Sequence, residues 1–195
     1  MARDTLAVVT DEALLVLYAN GDPDAARVLA QRLVPRVLGY AARLLADRTE
    51  AEDIAQEAML RLWRVAPDWR QGEARVSTWI YRVATNLCTD RLRMRKRRQT
   101  DALDLVAEPE DSAPAVVTTL IEADRMAALT AALAALPDRQ REAVVLRHIE
   151  QLANPEIAEI LQIGVEAVES LTARGKRALT AALATHRTAL GYEET

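Results

Sequence analysis

A break in helical periodicity between Gln99 and Thr119 sets the architecture of this chain. Asp101, Asp104, Glu108, Pro109, Glu110, Asp111 and Pro114 fall within it, with few large apolar residues. That composition is too polar and too rich in breakers to pack a core. On both sides of the break, apolar residues recur at spacings of three and four, the signature of helices with one buried face. The chain is therefore expected to be all-α. Two small helical domains, residues 1–98 and 120–195, are joined by a flexible acidic linker over residues 99–119. At 195 residues and 50% apolar content, both have enough material for a core. With neither a charged-then-apolar leader nor an apolar run near 18 residues, the protein is expected to be soluble and cytoplasmic.

Residues 1–10 carry no strong signal. From Asp11, Leu14, Leu15, Leu17 and Tyr18 predict a short helix ending at Asn20-Gly21. Asp22-Pro23 has the form of an N-cap followed by proline at the first helical position. A long helix follows, burying Val28, Leu29, Leu33, Val37, Leu38, Leu44 and Leu45, with Pro35 expected to kink it or mark a boundary. Thr49 and Glu52 have capping-box spacing and predict the start of a third helix. Its apolar face is Ile54, Ala55, Ala58, Met59 and Leu62. Asp53, Gln56, Glu57 and Arg61 lie opposite, read on pattern alone as a solvated face. Asp53 and Glu57 have no histidine nearby to complete a metal site, and no metal or cofactor is expected. Cys88 is the single cysteine, which excludes an internal disulfide and a zinc cage and is read as a buried small hydrophobe.

The stretch from Trp69 to Arg98 carries the strongest functional signal. A polar segment containing Arg70, Arg75, Ser77 and Thr78 leads into a fourth helix from Trp79, with Trp79, Val83, Leu87 and Cys88 facing inward. Arg82, Asn86 and Asp90 form a polar stripe at i, i+4 and i+8. It leads to Arg91, Arg93, Arg95, Lys96, Arg97 and Arg98. Cations suit a helix C-terminus, but six within eight residues repel one another and ask for a polyanion. Neutralising about four to six phosphates would give log affinity a slope of roughly −4 to −5 against log salt. The positive charge is local: up to Arg98 there are 17 Lys and Arg against 13 Asp and Glu, and after it 8 against 16. The acidic linker is expected to shield the basic run before a ligand arrives.

In the second half, Leu120, Ile121, Met126, Leu129, Leu133 and Leu136 mark a helix stopped by Pro137. Asp138 is read as the cap of the next, which buries Ala143, Val144, Leu146 and Ile149. Asn154-Pro155-Glu156 repeats the cap-then-proline signal before a short helix from Ile157 to Leu161. The turn Gln162-Ile163-Gly164 then leads to a last helix through Val165, Val168, Leu171, Ala178 and Leu183. Short helix, three-residue turn and longer helix make the helix-turn-helix pattern, which also occurs in ordinary bundles.

These residues together resemble a known family. Ala51-Glu52-Asp53-Ile54-Ala55-Gln56-Glu57 with Leu60-Arg61-Leu62-Trp63-Arg64 resembles the core-binding helix of a sigma factor of bacterial RNA polymerase. Thr78 to Leu87, with Asp90 and Arg91, resembles its promoter −10 element. Leu136 to Glu142 and Glu156 to Leu161 resemble its −35 domain. Two domains joined by an acidic linker match the small extracytoplasmic-function (ECF) class of the sigma-70 family, over roughly residues 11–185. The resemblance implies that Asp53, Gln56, Glu57 and Arg61 dock on the clamp helices of the polymerase's largest subunit, overriding the solvated-face reading. It implies that the loop over residues 70–78 holds a base flipped from the −10 stack, at an unstacking cost of a few kcal/mol. Arg75, Ser77, Thr78, Trp79, Arg82, Asn86, Arg91, Arg93, Arg95, Lys96, Arg97 and Arg98 then form the −10 DNA site. Arg141, Arg147, Glu166, Ala167, Glu169, Ser170, Arg174, Lys176 and Arg177 form the −35 site. The recognition helix departs from the family, which usually carries Lys and Arg where this chain has Glu169 and Leu171, and a small residue where it has Glu166. Carboxylates accept from cytosine N4 but repel phosphates, so an altered −35 preference is expected.

The implied partners are core RNA polymerase, promoter DNA and an anti-sigma factor, with no small-molecule substrate and no membrane insertion. No catalytic chemistry is expected: His148 and His186 are too isolated for a His-based site, and there is no Gly-rich phosphate loop. Two other readings remain. A stand-alone helix-turn-helix regulator leaves the Asp53 face without a role. A sigma-like decoy that titrates an anti-sigma factor has no use for the basic run.

Overall fold

The computed structural model describes residue 6, residues 8–70, residue 72, residues 75–101 and residues 117–184, with side chains described outside residues 101–124. Most of the expected linker, and Gln71, Glu73 and Ala74 of the loop, lie outside the described residues. Among the described residues every regular element is helical. In the first half α1 is Asp11–Ala19, α2 Pro23–Leu45, α3 Arg48–Val65 and α4 Val76–Asp101, with a 3-10 turn at Ala66–Asp68 before α4. In the second half α5 is Val117–Ala134, α6 Asp138–Val144, α7 Asn154–Leu161 and α8 Val165–Ala184. The outer three residues at each end of the expected linker are thus helical. No described helix is long and apolar enough to cross a membrane.

Local chemistry explains most helix starts, and tertiary chemistry the rest. The Asp22 carboxylate accepts from the backbone N–H of Asp24 (2.9 Å) and Ala25 (3.2 Å), with Pro23 inside the first turn, as the pattern predicts. Pro35 does not end α2, which runs unbroken from Pro23 to Leu45. Its ring removes the N–H partner of the Gln31 carbonyl, and both residues are exposed, so water can satisfy that carbonyl. The expected capping box at Thr49 does not form. Asp47 caps α3 instead, accepting from Glu50 N–H at 2.9 Å, after Ala46 turns the chain at φ 51°. Asp138 and Asn154 likewise sit inside α6 and α7 rather than capping them, and Pro137 and Ala153 take the cap positions. The predicted turn before α8 forms, with the left-handed residue at Gln162, φ 55°.

In the first half, Leu14 and Leu15 of α1, Leu29, Leu33, Val37, Tyr40 and Leu44 of α2, and Ile54, Ala58 and Leu62 of α3 are buried against α4. The face that α4 presents is Val76, Ile80, Tyr81, Ala84, Thr85 and Cys88. Trp79, Val83 and Leu87, expected inward, are only half-buried. This rotation of the buried face puts a hydroxyl pair in the core. Tyr40 Oη and Thr85 Oγ1 are 2.7 Å apart, and Thr85 also donates to the Tyr81 carbonyl. The second half closes over Leu133, Leu136, Val144, Leu146, Ile157, Ile160 and Val168. A π-helical turn at Val145–Ile149 follows α6 and ends with the Glu150 N–H bonded to the Val145 carbonyl. The halves are in contact, with α4 lying along α7 and α2 touching α5 and α6.

Candidate nucleic-acid and polymerase interfaces

The α3 face predicted for protein docking is exposed. Asp53, Gln56 and Arg61 lie on the surface and Glu57 is half-buried. Arg61 donates to Glu57 at 2.8 Å, and that hydrogen bond holds the Glu57 carboxyl below its usual range. Beside the charges runs a groove of about 390 Å³ between α2 and α3, lined by Val34, Leu38, Ala55, Met59, Leu60 and Trp63 among others. A charged edge along an apolar groove suits a partner helix. Asp53 also lies 4.0 Å from Arg91 of α4, so the docking face and the basic helix share a charge contact.

Helix α4 is anchored at both ends by residues distant in sequence. Its first N–H, on Val76, donates to the Glu12 carboxylate of α1 at 2.9 Å. Near its far end Arg95 donates to the Leu45 carbonyl (2.8 Å) and to Asp47 (3.0 Å), and lies 2.7 Å from Glu50. Asp47 therefore caps α3 with one oxygen and receives Arg95 with the other. The six-residue basic run divides accordingly. Arg91 and Arg95 are half-buried and neutralised within the first half, Arg91 lying 3.8 Å from Glu50. Lys96 is 2.7 Å from Asp138 of the second half. Arg93, Arg97 and Arg98 are exposed. Arg93 lies 3.7 Å from Asp90, and Arg97 and Arg98 form no ion pair among the described residues. Arg93 and Arg97, with exposed Asn86 and half-buried Arg82, make one open stripe, and Arg98 lies round the helix from it.

At the start of α4 the predicted residues separate. Ser77 is half-buried, Thr78 is buried, and exposed Arg75 pairs with Glu156 of the second half at 2.9 Å. Trp79 packs edge-on to Trp69, with ring centroids 6.2 Å apart. A polar cleft of about 560 Å³ opens here, lined by Glu12, Gly72, Arg75, Thr78, Ala153, Glu156 and Glu159.

The helix-turn-helix of α7 and α8 presents Glu166, Ala167, Glu169, Ser170, Arg174, Lys176 and Arg177 to solvent, while Val168 and Gly175 face inward. Its outer face runs from acidic at the first two turns to basic beyond them. Asn154 Nδ2 lies 3.4 Å from Glu169, joining the two helices. Arg147 is exposed and donates to the Leu152 carbonyl. Arg141 corrects the expectation: it is 5% exposed, bonded to Asp138 at 2.7 Å, and serves the interior rather than a DNA-facing surface. Sequence reasoning missed Glu12, Tyr81, Glu142, Glu150 and Glu156. Each acts on a residue more than 50 positions away, where no local pattern reaches.

The comparisons with known proteins fit this arrangement. The Sigma-70 region 2 family model matches residues 29–99, and the Sigma-70 region 4 model matches residues 126–179. The chain is 32% identical over 175 residues to the ECF RNA polymerase sigma factor SigW of Bacillus subtilis, covering 82% of this chain and 89% of that one. It is 34% identical to the ECF RNA polymerase sigma factor SigM of Mycobacterium tuberculosis, covering 87% and 83%. Its fold resembles the Bartonella quintana sigma factor RpoE, solved in complex with the anti-sigma factor NepR. There the TM-score is 0.67 at 22% identity, over 81% of this chain and 96% of that one. It also resembles CnrH, solved with the cytosolic domain of CnrY, with a TM-score of 0.66 at 24% identity over 90% and 97%.

Two helical units carrying regions 2 and 4, with an exposed cationic stripe on the last helix of the first, define a sigma-70-type promoter-specificity subunit. Within that class the chain belongs to the ECF RNA polymerase sigma factors.

Proposed function

We propose that residues 1–98 bind core polymerase and read and melt the −10 element, and that residues 120–195 read the −35 element. Asp53, Gln56, Glu57 and Arg61 meet the polymerase, the groove beside them receiving an apolar side of the same partner. Arg82, Asn86, Arg93, Arg97 and Arg98 carry the upstream duplex, Arg75 and Ser77 face the melted strand, and Arg91 and Arg95 hold α4 against α3. Glu166, Ala167, Glu169, Ser170, Arg174, Lys176 and Arg177 meet the −35 duplex, with Arg147 beside them. The polymerase makes the phosphodiester bonds and this subunit contributes no catalysis. It works in the cytoplasm and is controlled by an anti-sigma factor, a reading supported by the RpoE–NepR and CnrH–CnrY structures.

The observation that carries this reading is the open stripe on α4, with Arg97 on it and Arg98 beside it, both exposed and in no ion pair among the described residues. Transcription in vitro with core polymerase and a promoter library tests it, and specific initiation is expected. DNA binding without initiation would point to a stand-alone regulator, and neither to a decoy. Asp53→Ala combined with Glu57→Ala is expected to weaken core binding about tenfold, about 1.4 kcal/mol and short of a hot-spot loss. Unchanged affinity removes the α3 assignment.

A further inference from the structure

Helix α8 sorts its charges both along its length and around its axis. At about 3.6 residues per turn, Glu166, Glu169, Ser170, Ala173 and Arg177 share one exposed face, opposite buried Val168 and Gly175. Arg174 and Lys176, also exposed, stand on the two flanks of that face. Arg174 Nε donates to the Ser170 carbonyl at 3.2 Å and Arg177 Nε to the Ala173 carbonyl at 3.4 Å. The terminal nitrogens of both guanidinium groups remain for an acceptor outside the helix.

In a helix-turn-helix the first residues of the second helix reach the base edges in the major groove. A helix about 10–12 Å across fills a groove about 12 Å wide. Side chains in the middle of its outer face therefore meet the floor, and those on its flanks meet the phosphate walls. In α8 the first two turns present carboxylates to the floor, and the cations that suit the walls lie further along.

Carboxylates in that position oppose binding to most sequences. Neither Glu166 nor Glu169 has a cation three or four residues away, so the helix does not neutralise them itself. On the groove floor guanine presents two acceptors, thymine an acceptor and a methyl group, and adenine an acceptor beside its one donor. Cytosine alone presents a donor, its N4 amino group, without an acceptor. Glu169 is also steered: Asn154 Nδ2 of α7 donates to its Oε1 at 3.4 Å, which leaves Oε2 for the base. Glu166 precedes it by three residues, about 4.5 Å along the helix and close to one base step of about 3.4 Å.

We infer that Glu169, oriented by Asn154, selects cytosine in the −35 element, and that Glu166 selects a second cytosine at a neighbouring base pair. The inference deepens the assignment of α8 to −35 DNA and rests on it. Attraction to the duplex comes from Arg174, Lys176 and Arg177, whereas the choice of base lies with the carboxylates. Asn154 is a positioning residue, and Glu169 is the group that meets the base.

The test uses holoenzyme assembled from the full chain and core polymerase, on a promoter it initiates, randomised through the −35 region and read by sequencing barcoded transcripts. Cytosine is expected at two neighbouring positions, each preferred about tenfold. Glu169→Gln should move one of those preferences to adenine, whose N6 and N7 pair with a glutamine amide, and leave the other in place. Asn154→Ala should flatten the preference at the Glu169 position alone; a merely structural role would lower initiation on every sequence alike. Arg174→Ala combined with Lys176→Ala should lower initiation on every −35 variant to the same degree. Preference for a base other than cytosine, preference unmoved by Glu169→Gln, or base choice that changes with the two cations would each overturn the inference while the −35 assignment stands. Initiation indifferent to the −35 sequence would remove the assignment itself, and the inference with it.

Discussion

Glu142 is a carboxylate with 2% of its side chain exposed, held between Arg139 at 3.1 Å and the Thr89 hydroxyl. Burial raises its pKa above 4.5, and the hydrogen bonds and charge from its partners only partly oppose that rise. The folded state therefore holds this proton more tightly than the unfolded state. The penalty for the charged form is fully present above the raised pKa and is relieved as pH falls toward 4.5. Urea midpoints followed from neutral pH down to 4.5 should show it. Any stability advantage of Glu142→Gln over the unmodified chain is expected to shrink with falling pH, and a constant difference would contradict the buried charge. Cys88 shows the same physics with a simpler outcome: burial and the nearby Glu142 push its thiol up to about 12. It stays protonated and packs as the small hydrophobe its neighbours implied.

At the scale of elements, the packing of α8 on α6 turns on Gly175. A Cβ there would lie 2.5 Å from Val144 Cγ2 and 3.1 Å from the Gln140 carbonyl, so the helices meet at a distance only glycine permits. Gly175→Ala gains about 1 kcal/mol of helix propensity but overpacks a closed contact, typically at about 1–3 kcal/mol. A net loss of stability in urea is expected, and a stabilised variant would show that the contact yields. Helix periodicity made the elements themselves legible in the sequence, down to Asp22-Pro23. Their ends were less so. Thr49 and Asp47 compete for one cap, and Asp47 takes it while also receiving Arg95 from 48 residues away. The start of α4 moved from Trp79 to Val76 because Glu12, far off in sequence, supplies its cap. A window of sequence sees the candidates for each end but not the tertiary partner that chooses between them.

At the scale of the whole molecule, the division into a basic half and an acidic half was legible from residue counts. Its meaning was not. The acidic excess serves in part as a set of carboxylates placed along α4, across separations of 42 to 81 residues that leave no periodic trace. Likewise the run from Arg91 to Arg98 reads as six equivalent cations, whereas folding turns Arg91 and Arg95 inward and lends Lys96 to Asp138. All three tryptophans, Trp63, Trp69 and Trp79, lie in the first half, two of them meeting edge to face. No described residue beyond α4 is a tryptophan or tyrosine. The chain therefore carries its tryptophan label on one side only: tryptophan emission reports the first half, whereas ultraviolet circular dichroism sums the helices of both. If the contact between α4 and α7 couples the halves into one cooperative unit, the two signals should trace a single unfolding curve at low salt. Removing the Glu150 carboxylate, to which the Tyr81 hydroxyl of α4 donates, should pull those curves apart, showing in light alone when the halves part company.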